Sequence, residues 1–196
     1  MIVVVDDERT YAELFCENLA RVLVENGLIP DSAYSFSFKD RLSGYVVLLN
    51  NFNEAMEFIS DYIDQIDFIT FDIIMTLPSG IEEIIQLLNI EDPTSLEAGS
   101  YLFQMLVANG IITNKVNRFA IITHLKDYDA GKLISNLEED LRPSTHSFEN
   151  RILQKNYVNV PNDVHRVFTF LKEEKIDSIS ISPIAFTHDM ENSDVQ

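Results

Sequence analysis

The chain has 196 residues, 46% of them hydrophobic, a size that suits one domain with a sizeable core. Its 32 acidic and 14 basic residues give a net charge of −18, which argues against sequence-independent binding to nucleic acid and against docking on an anionic membrane. The single cysteine, Cys16, excludes an internal disulfide and a multi-cysteine zinc site. Without a signal peptide or an apolar run of ~18 residues, we expect a cytoplasmic protein with no membrane span.

Short apolar runs rich in β-branched residues predict five buried strands. They lie at residues 2–5, 45–49, 67–74, 118–123 and 151–155. Apolar residues at helical spacing predict helices between them, at 8–26, 53–63, 98–111, 130–142 and 162–174. We expect Asn53 and Asn162 to cap the second and the last of these helices. The alternation predicts a doubly wound α/β fold with a five-stranded parallel sheet covered on both faces.

Polar residues follow the predicted strands, where functional groups of such sheets collect. Asp6 and Asp7 follow the first strand, Asp72 the third, Thr123 ends the fourth and Lys155 ends the fifth. Three carboxylates at one edge are costly without a cation, and Mg²⁺ is the natural candidate for oxygen ligands. A carboxylate beside such an ion can act as a nucleophile toward a phosphoryl group. The lysine would then pair with phosphoryl oxygens, and the threonine hydroxyl would gain a hydrogen bond only when that group arrives.

Three of these segments resemble the receiver domain of two-component response regulators. They are "VVVDDE" at the first strand, "DFITFDIIM" at the third and "FAIIT" at the fourth, in the family's order and approximate spacing. The resemblance implies a (βα)5 flavodoxin-like fold with strand order 2-1-3-4-5. It covers residues 1–174 and leaves 175–196 as a C-terminal extension, which we expect to be partly disordered.

Residue by residue, the resemblance implies that Asp72 is the phosphoacceptor. Asp6, Asp7, Asp72 and the backbone carbonyl of Ile74 would hold Mg²⁺ or Mn²⁺, and Thr123 would be the switch hydroxyl. The phosphoryl donor would be a sensor histidine kinase or a phosphotransfer protein. Output would come through contacts with a downstream protein, and a homodimer stays open. The chain would thus be a signalling phosphoacceptor rather than an enzyme.

The chain departs from the receiver pattern around the third helix. Gly80 lies where the family's glycine is expected, but the long helix begins later, so we interpret Gly99 as that glycine, displaced by an insertion near 77–98. A second long connection covers 29–44. Both would be additions to the receiver fold.

The lysine of the site has two candidate positions. Lys155 ends "RILQK" but is followed by Asn156 instead of the family's proline. The alternative alignment keeps Tyr157 and Pro161 and places Val160 where the lysine should be. We favour Lys155, because the acids and the threonine would otherwise lack their partner.

Two other functions compete with phosphoryl acceptance. One is a pseudo-receiver adaptor, which keeps the fold but has lost the phosphorylation switch. The other is a haloacid-dehalogenase-like phosphatase, suggested by "DIIMT" at 72–76, although Ile74 replaces the acid-base aspartate that such enzymes need. His124, directly after Thr123, is expected to be a solvated loop residue.

Overall fold

The computed structural model of the chain describes residues 1–30, 42–75, 99, 102, 106, 118–124, 151–155 and 157–180. Its sheet has six strands in the order β2-β3-β1-β4-β5-β6. The strands are β1 (Ile2–Val5), β2 (Leu42–Ser43), β3 (Val46–Leu49), β4 (Phe68–Phe71), β5 (Phe119–Thr123) and β6 (Ile152–Gln154).

Five of the six strands are parallel, and β2 alone runs antiparallel, to β3. The parallel part confirms the predicted α/β fold and its strand order 2-1-3-4-5. Strand β2 was not predicted; it has two residues and lies inside the segment 29–44 that the sequence indicated as a connection. A strand this short carries too few residues to show a period of two.

The helices of the described chain are α1 (Arg9–Glu25), α2 (Phe52–Tyr62) and α3 (Val160–Glu173), with a 3₁₀ turn at Ile63–Gln65. Gly99, Leu102 and Leu106 are helical as well, inside the predicted helix 98–111. The predicted helix at 130–142 lies outside the described residues. No helix in the described segments is long and apolar enough to cross a membrane.

Both predicted N-caps were wrong. Asn51, not Asn53, caps α2, because its side chain accepts a hydrogen bond of 2.8 Å from the amide of Glu54. Helix α3 begins at Val160, so Asn162 lies within its first turn. Pro161 sits in that turn, where a missing N–H costs nothing.

Side chains on the two faces of the sheet form two hydrophobic clusters. One packs α2, Leu102 and Leu106 against one face, and the other packs α1 and α3 against the opposite face. The second cluster also contains Ile176 and Ile179, so packed chain continues beyond residue 174, the predicted end of the domain. Residues 181–196 of the predicted extension lie outside the described chain. Helices therefore cover both faces of the parallel sheet.

Candidate functional site

The parallel register brings the predicted site residues to one edge of the sheet. Asp6 follows β1, Asp72 follows β4, Thr123 ends β5 and Lys155 follows β6. Backbone hydrogen bonds continue the ladder one residue past the strands: Asp72 N–H donates to Val5 O at 2.9 Å and Lys155 N–H to Thr123 O at 2.7 Å. The sheet therefore fixes the backbone from which these side chains project.

The ammonium of Lys155 is the centre of the site. It donates a hydrogen bond to Asp6 Oδ1 at 2.8 Å and another to Asp72 Oδ2, and Glu8 Oε2 lies 3.4 Å away. The side chain of Lys155 is fully buried. Val160 lies elsewhere, buried among apolar side chains at the start of α3. Of the two candidate positions for the lysine, Lys155 is the one beside Asp72.

Burial dominates the titration of the two buried carboxyl groups. Loss of hydration raises the pKa of Asp6 to about 6, against the opposing attraction of Lys155. Burial also raises the pKa of Asp72, opposed by Lys155 and by hydrogen bonds to the carboxylate. Burial by itself lowers the pKa of Lys155, but the charges of Asp6 and Asp72 outweigh it and raise that pKa. The raised pKa of Lys155 keeps the ammonium charged beside the two carboxyl groups.

Both oxygens of Asp72 are engaged. The amide of Ile74 donates to Oδ1 at 2.9 Å, and Lys155 holds Oδ2. The Thr123 side chain also forms a hydrogen bond with Asp72, which lowers the carboxyl pKa. The hydrogen bond of this hydroxyl to an arriving phosphoryl group stays a prediction. On formation of that bond, Thr123 would exchange one acceptor for another.

The predicted metal ligands also come together. One carboxylate oxygen each from Asp6, Asp7 and Asp72 lies within 4.8 Å of the others, and Asp7 is the more accessible of the three. Hard oxygen donors at this spacing suit Mg²⁺ or Mn²⁺. Lys155 and the amide of Glu8 both donate hydrogen bonds to Asp6 Oδ1, at 2.8 and 2.9 Å. The role of the Ile74 carbonyl as a ligand stays a prediction.

Gly99 packs directly against the backbone of the turn that carries Asp72. Its amide donates to Ile73 O at 3.0 Å, and a Cβ at this position would lie 1.8 Å from Asp72 O. Only glycine fits such an approach. The contact agrees with the interpretation of Gly99 as the displaced glycine, whereas Gly80 and the segment 77–98 lie outside the described residues.

Two residues of the site were missed by sequence reasoning. Glu8 reaches both Lys155 and His124, whose Nε2 lies 3.0 Å from Glu8 Oε2. His124 is exposed, as expected of a loop residue, but its ring is held by this hydrogen bond. The ring of Tyr11 lies 5.2 Å from the Lys155 ammonium. Glu8 belongs to the motif "VVVDDE". The motif alone does not indicate whether this glutamate caps the following helix or contacts the residues of the site.

Comparison of the chain with protein-family models, with curated proteins and with solved structures gave no significant match. The geometry of the site is therefore the basis for inferring a function. That geometry consists of a buried lysine between two buried carboxylates, a third carboxylate at metal-binding distance and a threonine hydroxyl on the central aspartate.

Proposed function

We propose that the chain is a receiver that accepts a phosphoryl group on Asp72 from a histidine kinase or a phosphotransfer protein. The observation that carries the proposal is the ion pair of Lys155 with both Asp6 and Asp72, beside the carboxylate of Asp7. A structural salt bridge needs one carboxylate per ammonium. A surplus of buried acids around a single lysine suits a site that also takes a divalent cation.

The reaction would be nucleophilic substitution at phosphorus. A carboxylate oxygen of Asp72 forms a bond to the phosphorus of the donor phosphohistidine while the P–N bond breaks. The electron pair of that bond stays on the imidazole nitrogen of the donor, which then takes up a proton from solvent. The product is an acyl phosphate on Asp72 and a neutral histidine on the partner.

The residues around Asp72 would divide the work. Asp6 and Asp7, together with Asp72, would hold Mg²⁺, which when bound neutralises charge on the transferred group. The ammonium of Lys155 would move from Asp72 Oδ2 to a phosphoryl oxygen. The hydroxyl of Thr123 would donate a hydrogen bond to a second phosphoryl oxygen. The new contacts of Thr123 would shift the β5 end and so change the surface seen by a downstream protein.

The pseudo-receiver alternative was favoured by the two candidate positions for the lysine and by the insertion near 77–98. The position of Lys155 beside Asp72 speaks against the first of these, and the insertion lies outside the described residues. The acidic net charge of −18 agrees with a cation-binding protein and with a basic partner surface.

A titration with beryllofluoride and Mg²⁺ tests the proposal, because beryllofluoride on a carboxylate mimics the acyl phosphate. We expect saturable binding that disappears without Mg²⁺ and in Asp72→Asn. The matched control is Asp61→Asn, which removes an exposed acid of α2 and should leave binding unchanged. Binding that survives in Asp72→Asn, or none in the wild type, would contradict the proposal.

A further inference from the structure

Glu8 occupies the N-cap position of α1 without capping the helix. Its backbone is at φ −82° and ψ 79°, and its side chain makes no hydrogen bond to the first amides of the helix. Ser, Thr, Asp and Asn are the residues that stabilise this position, by about 1 kcal/mol over alanine. The sequence therefore places a poor cap here, and its carboxylate is used elsewhere.

The carboxylate of Glu8 joins two basic side chains from different strands. The same oxygen, Oε2, lies 3.0 Å from His124 Nε2 and 3.4 Å from Lys155 Nζ. His124 follows β5 and Lys155 follows β6, so one oxygen of the β1–α1 connection ties together the ends of both strands. Glu8 is partly exposed, whereas the other two acids on Lys155 are buried.

A ring contact secures the far side of His124. Its imidazole stacks on the ring of Tyr157 with centroids 5.6 Å apart and planes at 25°. Tyr157 in turn meets the edge of Tyr11, at 5.5 Å and 82°. Since His124 is the chain neighbour of Thr123, these contacts also restrain the threonine that would bind the phosphoryl group.

We infer that Glu8 is a positioning residue that favours the unphosphorylated arrangement by holding Lys155 and His124 on one oxygen. The inference rests on the proposed function. A phosphoryl group on Asp72 needs contacts with Lys155 and Thr123. Glu8 competes for the ammonium of Lys155, and it restrains Thr123 through the neighbouring His124. The negative charge of Glu8 also repels the incoming anion. All three effects oppose phosphorylation, so removal of Glu8 favours it.

Serine at position 8 separates this role from a structural one. Glu8→Ser supplies a good N-cap, so the melting temperature should stay unchanged or rise. The affinity for beryllofluoride with Mg²⁺, measured by ¹⁹F NMR, should rise about two- to fivefold, the range expected for partly exposed ion pairs. Glu8→Gln, which keeps the length but not the charge, should show a smaller gain. A residue with only a structural role would lower both quantities when lost.

Two controls isolate the contact with His124. Glu13→Gln removes the same charge from another acid of α1, one that pairs with Arg9 and not with His124. It should leave the affinity unchanged. His124→Asn should raise the affinity in the wild type and add nothing in Glu8→Ser. The imidazole ¹⁵N shifts of His124 should move in Glu8→Ser without any beryllofluoride present.

The outcomes separate the two proposals. A wild-type protein with no Asp72-dependent beryllofluoride binding contradicts the proposed function. Normal wild-type binding, with Glu8→Ser no tighter than Glu13→Gln or with His124 shifts unmoved, overturns the role of Glu8 and leaves the proposed function standing.

Discussion

The ammonium of Lys155 and the carboxylate of Asp72 form a direct ion pair inside the protein, although 83 positions separate the two residues in the sequence. Asp6 accepts from the same ammonium at 2.8 Å. One buried cation thus offsets two buried anions, and the remaining negative charge is the physical reason to expect a metal ion at this edge.

Replacement of Lys155 by methionine should separate the two roles of the ammonium. Asp6 and Asp72 lose their buried counter-ion, so the free energy of unfolding without metal should fall by about 3 kcal/mol at pH 7.5, as for other broken buried pairs. The affinity for Mg²⁺ should rise, because the competing cation is gone. Urea denaturation and calorimetric titration with Mg²⁺ measure the two effects.

Lys175→Met is the matched control, since it removes an exposed ammonium. It should change stability by less than about 0.5 kcal/mol and leave the Mg²⁺ affinity as it is. Equal effects of the two variants would mean that Lys155 does not balance the charge of the site.

The main part of the fold and most of the site could be predicted from the sequence. The runs that form β1, β3, β4 and β5 are short, apolar and β-branched, and parallel strands bring the residues that follow them to one edge. The sequence alone therefore predicts that Asp6, Asp72 and Thr123 lie together. The local sequence pattern was sufficient to predict these positions, because the pairing of parallel strands brings residues that are distant in the sequence together.

The errors and the open choices arose where local sequence fits two arrangements. "NNFNEAM" offers Asn51 and Asn53 as caps, and only the path of the chain into α2 decides between them. "RILQKNYVNVP" allows either Lys155 or Val160 at the strand end, and the bond from Lys155 N–H to Thr123 O selects the first. The role of Glu8 depends on residues that follow β5 and β6, and these strands are distant from Glu8 in the sequence.

The raised pKa of Asp6 predicts a specific pH dependence of stability. The folded group titrates near pH 6 and its ordinary value is 3.8, so between pH 4 and 6 the folded protein binds more protons than the unfolded chain. Stability of the metal-free protein should therefore fall as the pH rises through this window. The difference in unfolding free energy between wild type and Asp6→Asn, measured by urea denaturation from pH 4 to 7, isolates this contribution.

Mg²⁺ should reverse that trend, because it binds the deprotonated carboxylate. With saturating Mg²⁺ the stability should rise with pH across the same window. A wild-type minus Asp6→Asn difference that is flat with pH would show that Asp6 has an ordinary pKa.

Gly99→Ala should damage the site through the backbone. The added methyl group would meet Asp72 O at 1.8 Å, so the helix or the Asp72 turn must shift. We expect a loss of about 1–3 kcal/mol in the free energy of unfolding and weaker Mg²⁺ binding. Calorimetric titration and urea denaturation of the same preparation give both numbers.

Gly27→Ala provides the comparison for this substitution. Gly27 has a φ of +72°, and no atom of the described residues lies within 4 Å of an added Cβ, so alanine there costs only backbone strain, about 1 kcal/mol. Its Mg²⁺ affinity should equal that of the wild type. If Gly99→Ala also bound Mg²⁺ normally, the packing of Gly99 would not control the Asp72 turn.

Tyr11→Phe should weaken the fold and leave the site intact. The Tyr11 hydroxyl donates to the buried carboxylate of Asp163 at 2.8 Å, joining α1 to α3, and burial together with that carboxylate raises the tyrosine pKa. Loss of the donor should cost about 1–3 kcal/mol in the free energy of unfolding. Phenylalanine keeps the ring beside Lys155, so the affinities for Mg²⁺ and beryllofluoride should not change.

Tyr157→Phe, which keeps its ring contacts, should cost less than about 0.5 kcal/mol. A Tyr11→Phe protein as stable as the wild type would show that the bond to Asp163 does not stabilise the packing of α1 on α3.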